Sequence, residues 1–141
     1  MKALIIGALI ITLAIHDSFA MTRQQLKKTL TIVKNQCMPK TGVTEDEVGG
    51  IEQGNFLEKR NVMCYIACIY KNIQVVKNEK LNLEAVQKQV DILYPADMRP
   101  AVRAAIEKCT SVVSTYNDLC EMSYYAAKCL YEKDSENFVF P

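Results

Sequence analysis

The 141-residue chain sets 17 Lys and Arg against 16 Asp and Glu, a net charge of +1 with the two signs interspersed, so it lacks the basic surface that nucleic-acid binding demands. Half of it is hydrophobic, yet past residue 20 no apolar run approaches the roughly 18 residues of a membrane span. Its one histidine is His16, which leaves everything after it without the commonest general base.

Lys2, the apolar run from Ala3 to Ile15 and then Ser18-Phe19-Ala20 have the order of a secretory signal peptide. Residues 1–20 are read as that leader, and residues 21–141 as one domain exported to extracellular fluid, without stable membrane insertion. Between Gly, Pro and Asn breakers the rest shows helical rather than two-residue periodicity, which predicts an all-α domain with short loops. Leu26, Leu30, Val33 and Cys37 recur at spacings of four and three, and Pro39 with Gly42 ends the run. Thr44 and Glu47 form a capping-box pattern that starts a second helix, kept short by Gly49-Gly50 and Gly54.

The stretch from Asn61 to Val76 carries Val62, Ile66, Ile69, Ile73 and Val76 on one helical face, the strongest amphipathic pattern in the chain and the predicted central helix. Asn82 caps a segment with Leu83, Val86, Val90 and Leu93 that stops before Pro95. Pro100 stands near the start of a helix carrying Val102, Ile106, Cys109 and Val113, where its missing N–H does little harm. Asp118 and Glu121 repeat the cap spacing before a last helix with Leu119, Met122, Ala126, Cys129 and Leu130. The end, Phe138-Val139-Phe140-Pro141, is apolar. At roughly 1.5–3 kcal/mol per large side chain left wet, it is expected to fold back, either as a cover for the core or as one wall of a cavity.

Six cysteines, Cys37, Cys64, Cys68, Cys109, Cys120 and Cys129, follow the export signal, an even count that reads as three disulfides rather than a metal site. Cys64 and Cys68 stand one helical turn apart, with Cβ atoms roughly 5–6 Å from each other, too far to bond. Cys120 and Cys129, if both helical, are separated by roughly 13 Å of rise. Ten of the fifteen pairings stay open on these grounds.

The intervals between successive cysteines are 26, 3, 40, 10 and 8 residues. This spacing resembles that of the insect odorant- and pheromone-binding proteins, and the likeness covers the whole chain after the leader. The resemblance implies a bundle of about six helices around an internal apolar cavity, with interlocked bridges Cys37–Cys68, Cys64–Cys120 and Cys109–Cys129. It also implies a carrier of small hydrophobic volatiles, with a membrane odorant receptor as the recipient and a monomer or weak homodimer as the working state. By helical stripe and by position relative to the cysteines, the expected pocket residues are Leu26, Leu30, Ile66, Tyr70, Ile73, Val76, Val102, Ile106, Ala126 and Leu130. Phe138 and Phe140 join them from the tail. Tyr70, two residues past Cys68, offers a phenol for an alcohol, aldehyde or ester oxygen.

Without histidine or free thiol in the exported part, catalysis is not expected, nor is a cofactor or a metal. Ser111, Ser114, Ser123 and Ser135 have no evident activating partner. Any acid-triggered release would rest on carboxyl groups, that of Pro141 included. Two other functions compete. The same fold could sequester amines or lipids outside olfaction, and a saposin-like membrane-active protein also uses six cysteines and helices. The latter needs closely spaced cysteine pairs at the chain ends, which this spacing lacks.

Overall fold

The computed structural model describes residues 21–141, so the leader read over residues 1–20, with His16, lies outside the described residues. The first helix, α1 (Arg23–Thr41), opens on a reciprocal cap in which Thr22 and Gln25 satisfy each other's backbone N–H groups. It runs through Pro39 and ends at Gly42, whose φ of 67° supplies the left-handed turn. Pro39 and the residue four before it, Asn35, are both exposed, so the backbone bond that proline removes is lost where water replaces it. The Thr44–Glu47 box then starts α2 (Glu45–Val48). A 3-10 turn (Ile51–Gln53) ends at Gly54, where φ is 90° and a Cβ would lie 2.5 Å from the Tyr131 ring.

The central helix α3 (Arg60–Asn72) is shorter than its apolar pattern suggests. Gln74 adopts a φ of 62°, and the chain turns into a two-stranded antiparallel hairpin, β1 (Val76–Lys77) with β2 (Lys80–Leu81). Asn78 and Glu79, at φ 51° and 56°, form its tight turn. This hairpin corrects the reading of Val76 as the last residue of a helical stripe. No Gly or Pro marks the stop; a single left-handed glutamine makes it.

The remaining helices are α4 (Leu83–Leu93), capped by the Asn82 side chain, α5 (Arg99–Lys108), α6 (Thr110–Thr115) and α7 (Leu119–Lys133), capped by Asp118. The sequence pattern predicts one helix through Cys109 to Val113. The chain bends at Cys109 instead, and with α5 and α6 taken as one kinked helix the count among the described residues is six.

Helix α3 packs most extensively on α7 and on α1, while α4 lies on α5. Arg103 of α5 reaches Gln87 and Asp91 of α4 and ties that second pair together. Two apolar clusters result. One, built on α3 and α7, holds Ile51, Val62, Tyr65, Ile66, Tyr124, Ala127, Phe138 and Phe140. The other holds Leu26, Leu30, Val90, Met98, Val102, Ile106 and Val139. The three bridges are Cys37–Cys68 (α1 to α3), Cys64–Cys120 (α3 to α7) and Cys109–Cys129 (the α5–α6 kink to α7), with Cα separations of 5.7, 4.4 and 5.9 Å.

The tail folds back along the border of the two clusters. Phe138 and Phe140, stacked 5.9 Å apart, join the first, and Val139 between them joins the second, the alternation of an extended strand. It is pinned by the Tyr65 hydroxyl donating to the Pro141 carboxylate (3.1 Å) and by Arg23 donating to the Glu136 carbonyl (2.8 Å).

Candidate ligand cavity

The second cluster does not close on itself. Its residues and the tail surround a cavity of about 510 Å³, inside the ~300–1,000 Å³ typical of small-molecule sites. Helix α1 contributes Leu26 and Leu30; α3 and the turn after it contribute Ile69, Tyr70, Ile73 and Val75. The inner face of α4 adds Val86, Val90 and Leu93, α5 adds Val102, Ala105 and Ile106, and α7 adds Ala126 and Leu130. Phe138, Val139 and Phe140 form the wall towards the packed cluster. The walls are hydrocarbon and aromatic carbon almost throughout, so water gains little by staying and an apolar guest gains the hydrophobic term.

Ten of the twelve residues named from the sequence face this cavity, and Ile66 and Val76 do not. Ile66 is fully buried in the packed cluster. It shares a helical face with Tyr70 and Ile73 but lies a turn, roughly 6 Å, nearer the start of α3 than Tyr70, inside the packed cluster. Periodicity names a face and not a height along it. Val76 left the lining because the helix had already ended, and the buried Val75 takes the place expected of it. The sequence shows the inner stripe of α4 as a stripe but does not assign it to the site. That apolar run, ending on Tyr94, was the signal available.

Tyr94 is the polar group that sequence reasoning missed. Pro95 after it disfavours helical backbone, so Tyr94 closes α4 in an extended conformation (φ −88°, ψ 141°) with its carbonyl accepting from Arg99 Nε at 2.9 Å. Its side chain lines the same cavity as Tyr70. Tyr70 is held on the last turn of α3, with the Phe140 ring edge-on at 6.3 Å. Burial pushes the Tyr70 phenol well up, and the neighbouring Tyr94 adds to the shift. Burial pushes Tyr94 up to about 12, against the opposing pull of Arg23. Both are neutral donors at any ordinary pH.

Among the described residues, charge in the lining comes from Lys80, which is exposed, from Asp134, whose carboxylate accepts from the Asn137 side-chain amide at 2.9 and 3.0 Å, and from the Pro141 carboxylate, which accepts from the Tyr65 hydroxyl. A second hollow beside Cys64–Cys120 is walled by Arg60, Lys71, Glu79 and Asp118. These already pair as Arg60–Asp118 and Lys71–Glu79. Among the described residues no helix is long and apolar enough to cross a membrane.

A small helical domain braced by three disulfides, with an apolar hollow between its helices, belongs to the class of small-ligand binders. Residues 19–133 match the model of the PBP/GOBP family, and the chain belongs to that family of odorant-binding proteins. It is 33% identical to general odorant-binding protein 72 of Anopheles gambiae, over 86% of this chain and all of that one. Among solved structures, odorant binding protein 4 of Chrysopa pallens superimposes with a TM-score of 0.77 at 33% identity, covering 85% of this chain and 98% of that one. Apis mellifera odorant binding protein 5 does so with the same TM-score at 26% identity, covering 86% and 99%. Family and fold are those of carriers of small hydrophobic molecules rather than of enzymes.

Proposed function

We propose that this protein is an extracellular carrier that holds one small hydrophobic molecule in the cavity between α1, α3, α4, α5 and α7 and delivers it to a membrane receptor. The observation that carries the reading is a cavity of about 510 Å³ with an apolar wall on every contributing element. A guest there recovers roughly 25 cal/mol for each Å² of apolar surface taken from water. An amine cargo is less well served, because the carboxylates in the lining are already engaged, Asp134 by Asn137 and that of Pro141 by the Tyr65 hydroxyl.

Displacement of a hydrophobic fluorescent probe from disulfide-intact protein tests this. The expected result is saturable one-site binding that is displaced by volatile ketones or esters and weakened by Ala105→Trp, which puts an indole into the hollow. Binding that the indole leaves unchanged, or no binding at all, would sink the carrier reading.

A further inference from the structure

Resting on that reading, we propose that the cavity is built for cargo bearing a neutral carbonyl oxygen on an otherwise apolar skeleton, and that Tyr70 and Tyr94 are the paired donors that recognise it. Four other tyrosines find protein partners: Tyr65 donates to Pro141, Tyr124 to the Phe56 carbonyl, Tyr125 to Glu58 and Tyr131 to the Gln53 carbonyl. Among the described residues the Tyr70 and Tyr94 hydroxyls donate to no protein atom, and both lie on the wall of one apolar cavity. A phenol in apolar surroundings without a partner costs free energy, so two on one cavity wall are an incomplete hydrogen-bonding arrangement that a guest can complete.

The chemistry of the guest follows from what faces them. A carbonyl oxygen offers two lone pairs and no donor, which suits donors that come from two different elements, the end of α3 and the end of α4. An alkane leaves both phenols unpaired. A carboxylate is disfavoured because the lining holds no buried cation to replace its water, Lys80 being exposed. Ketones, aldehydes and esters therefore outrank hydrocarbons and free acids of equal length. The two tyrosines discriminate by what is left unsatisfied when the oxygen is missing, the arrangement that gives a pocket its sharpest selectivity.

The test pairs heptyl methyl ketone with the same skeleton carrying a methylene in place of the oxygen, each displacing a fluorescent probe from wild type, Tyr70→Phe, Tyr94→Phe and the double variant. Phenylalanine keeps ring and packing, the probe Kd is measured afresh for each variant, and the methylene analogue, which offers the phenols no acceptor, serves as the internal control. The expected result is a ketone Kd raised about tenfold in the double variant while that of the methylene analogue stays level or falls. Equal changes for the two ligands, or none for either, would overturn the assignment of the phenols and leave the carrier reading standing. Failure of both ligands and of the probe to bind wild type would overturn both.

Discussion

The middle of α3 and the turn that follows it lie in different kinds of interior. At the middle, Ile66 is fully enclosed among Val62, Tyr65, Tyr124, Phe138 and Phe140, and two of the three disulfides, Cys37–Cys68 and Cys64–Cys120, fasten this helix to its neighbours. Two turns on, Ile73 lies on the same helical face, is half-buried and looks into the hollow. A side chain on a cavity wall has no atoms on one side and forfeits the dispersion it would gain there. The packed half therefore supplies stability and the hollow half supplies a vacancy, with the tail as the partition. The hollow half needs other support, from Cys109–Cys129 at the α5–α6 kink and from Arg103 bonding across to α4.

The largest expected effects come from the bridges. Replacing Cys64 and Cys120 by alanine frees a 56-residue separation and should cost about 4 kcal/mol, while replacing Cys109 and Cys129 frees 20 residues and about 3 kcal/mol. Urea unfolding measures both. Probe affinity then separates them: the first variant, while folded, should bind as wild type does, whereas the second loosens a wall residue, Cys109, and should bind several-fold more weakly. Equal affinity losses would erase the division between the halves.

Next in size is a matched pair, one residue in α3 and one that caps its end. Ile66→Ala should cost about 3–5 kcal/mol, the upper part of the range for buried aliphatics, because its surroundings are full. Ile73→Ala should cost only about 1–2 kcal/mol, since part of its contact shell is already missing. Equal costs, measured by denaturant unfolding, would mean that the hollow is filled in solution.

How much of this was legible in the sequence depended on what each signal encodes. Caps and breakers act within four residues, so Thr44, Asn82, Pro95 and Asp118 marked their helix ends correctly. Faces were legible as well, because the helical repeat is local. The height of Ile66 along its face was not, since it depends on where Phe138 and Phe140 come to rest some seventy residues later. Nor was the stop of α3, which rests on Gln74 accepting a left-handed backbone without the glycine that normally announces it. Tyr94 carried a usable signal, an aromatic residue pushed off the helix by Pro95, but its convergence with Tyr70 depends on how α4 docks. Of the residue faces, then, the local chemistry informs; of which faces meet around a vacancy, only the packing does.

A smaller effect concerns the phenols in the empty protein. If Tyr70 and Tyr94 have no protein partner, deleting either oxygen should leave stability level or raise it by up to about 1 kcal/mol, the reverse of the usual penalty for a lost buried hydroxyl. The same substitution at Tyr124, whose hydroxyl donates to Phe56 at 3.0 Å in the packed half, should lower it by about 1 kcal/mol. Thermal unfolding of the three variants without ligand settles the contrast.

The smallest effect lies at the outer edge of the packed half. Asp118 caps α7 and receives two hydrogen bonds from the Arg60 guanidinium at 2.6 and 2.9 Å, so it joins the starts of α3 and α7. Arg60 chiefly, with the Glu121 backbone N–H, holds its carboxyl down at about 2, below the ordinary 3.8. A folded pKa below the unfolded one means that the contribution is complete above about pH 4 and is lost as pH falls through 2. The pair is largely exposed, so water screens it and the contribution stays under about 1 kcal/mol. The stability deficit of Asp118→Asn, measured by urea unfolding across that interval, should therefore shrink as the acid form takes over in wild type. Probe affinity at neutral pH should not move, because neither Asp118 nor Arg60 reaches the cavity wall. A fall in affinity would show that the start of α7 transmits strain to Ala126 and Leu130 further along it, and that the packed and hollow halves are one mechanical unit.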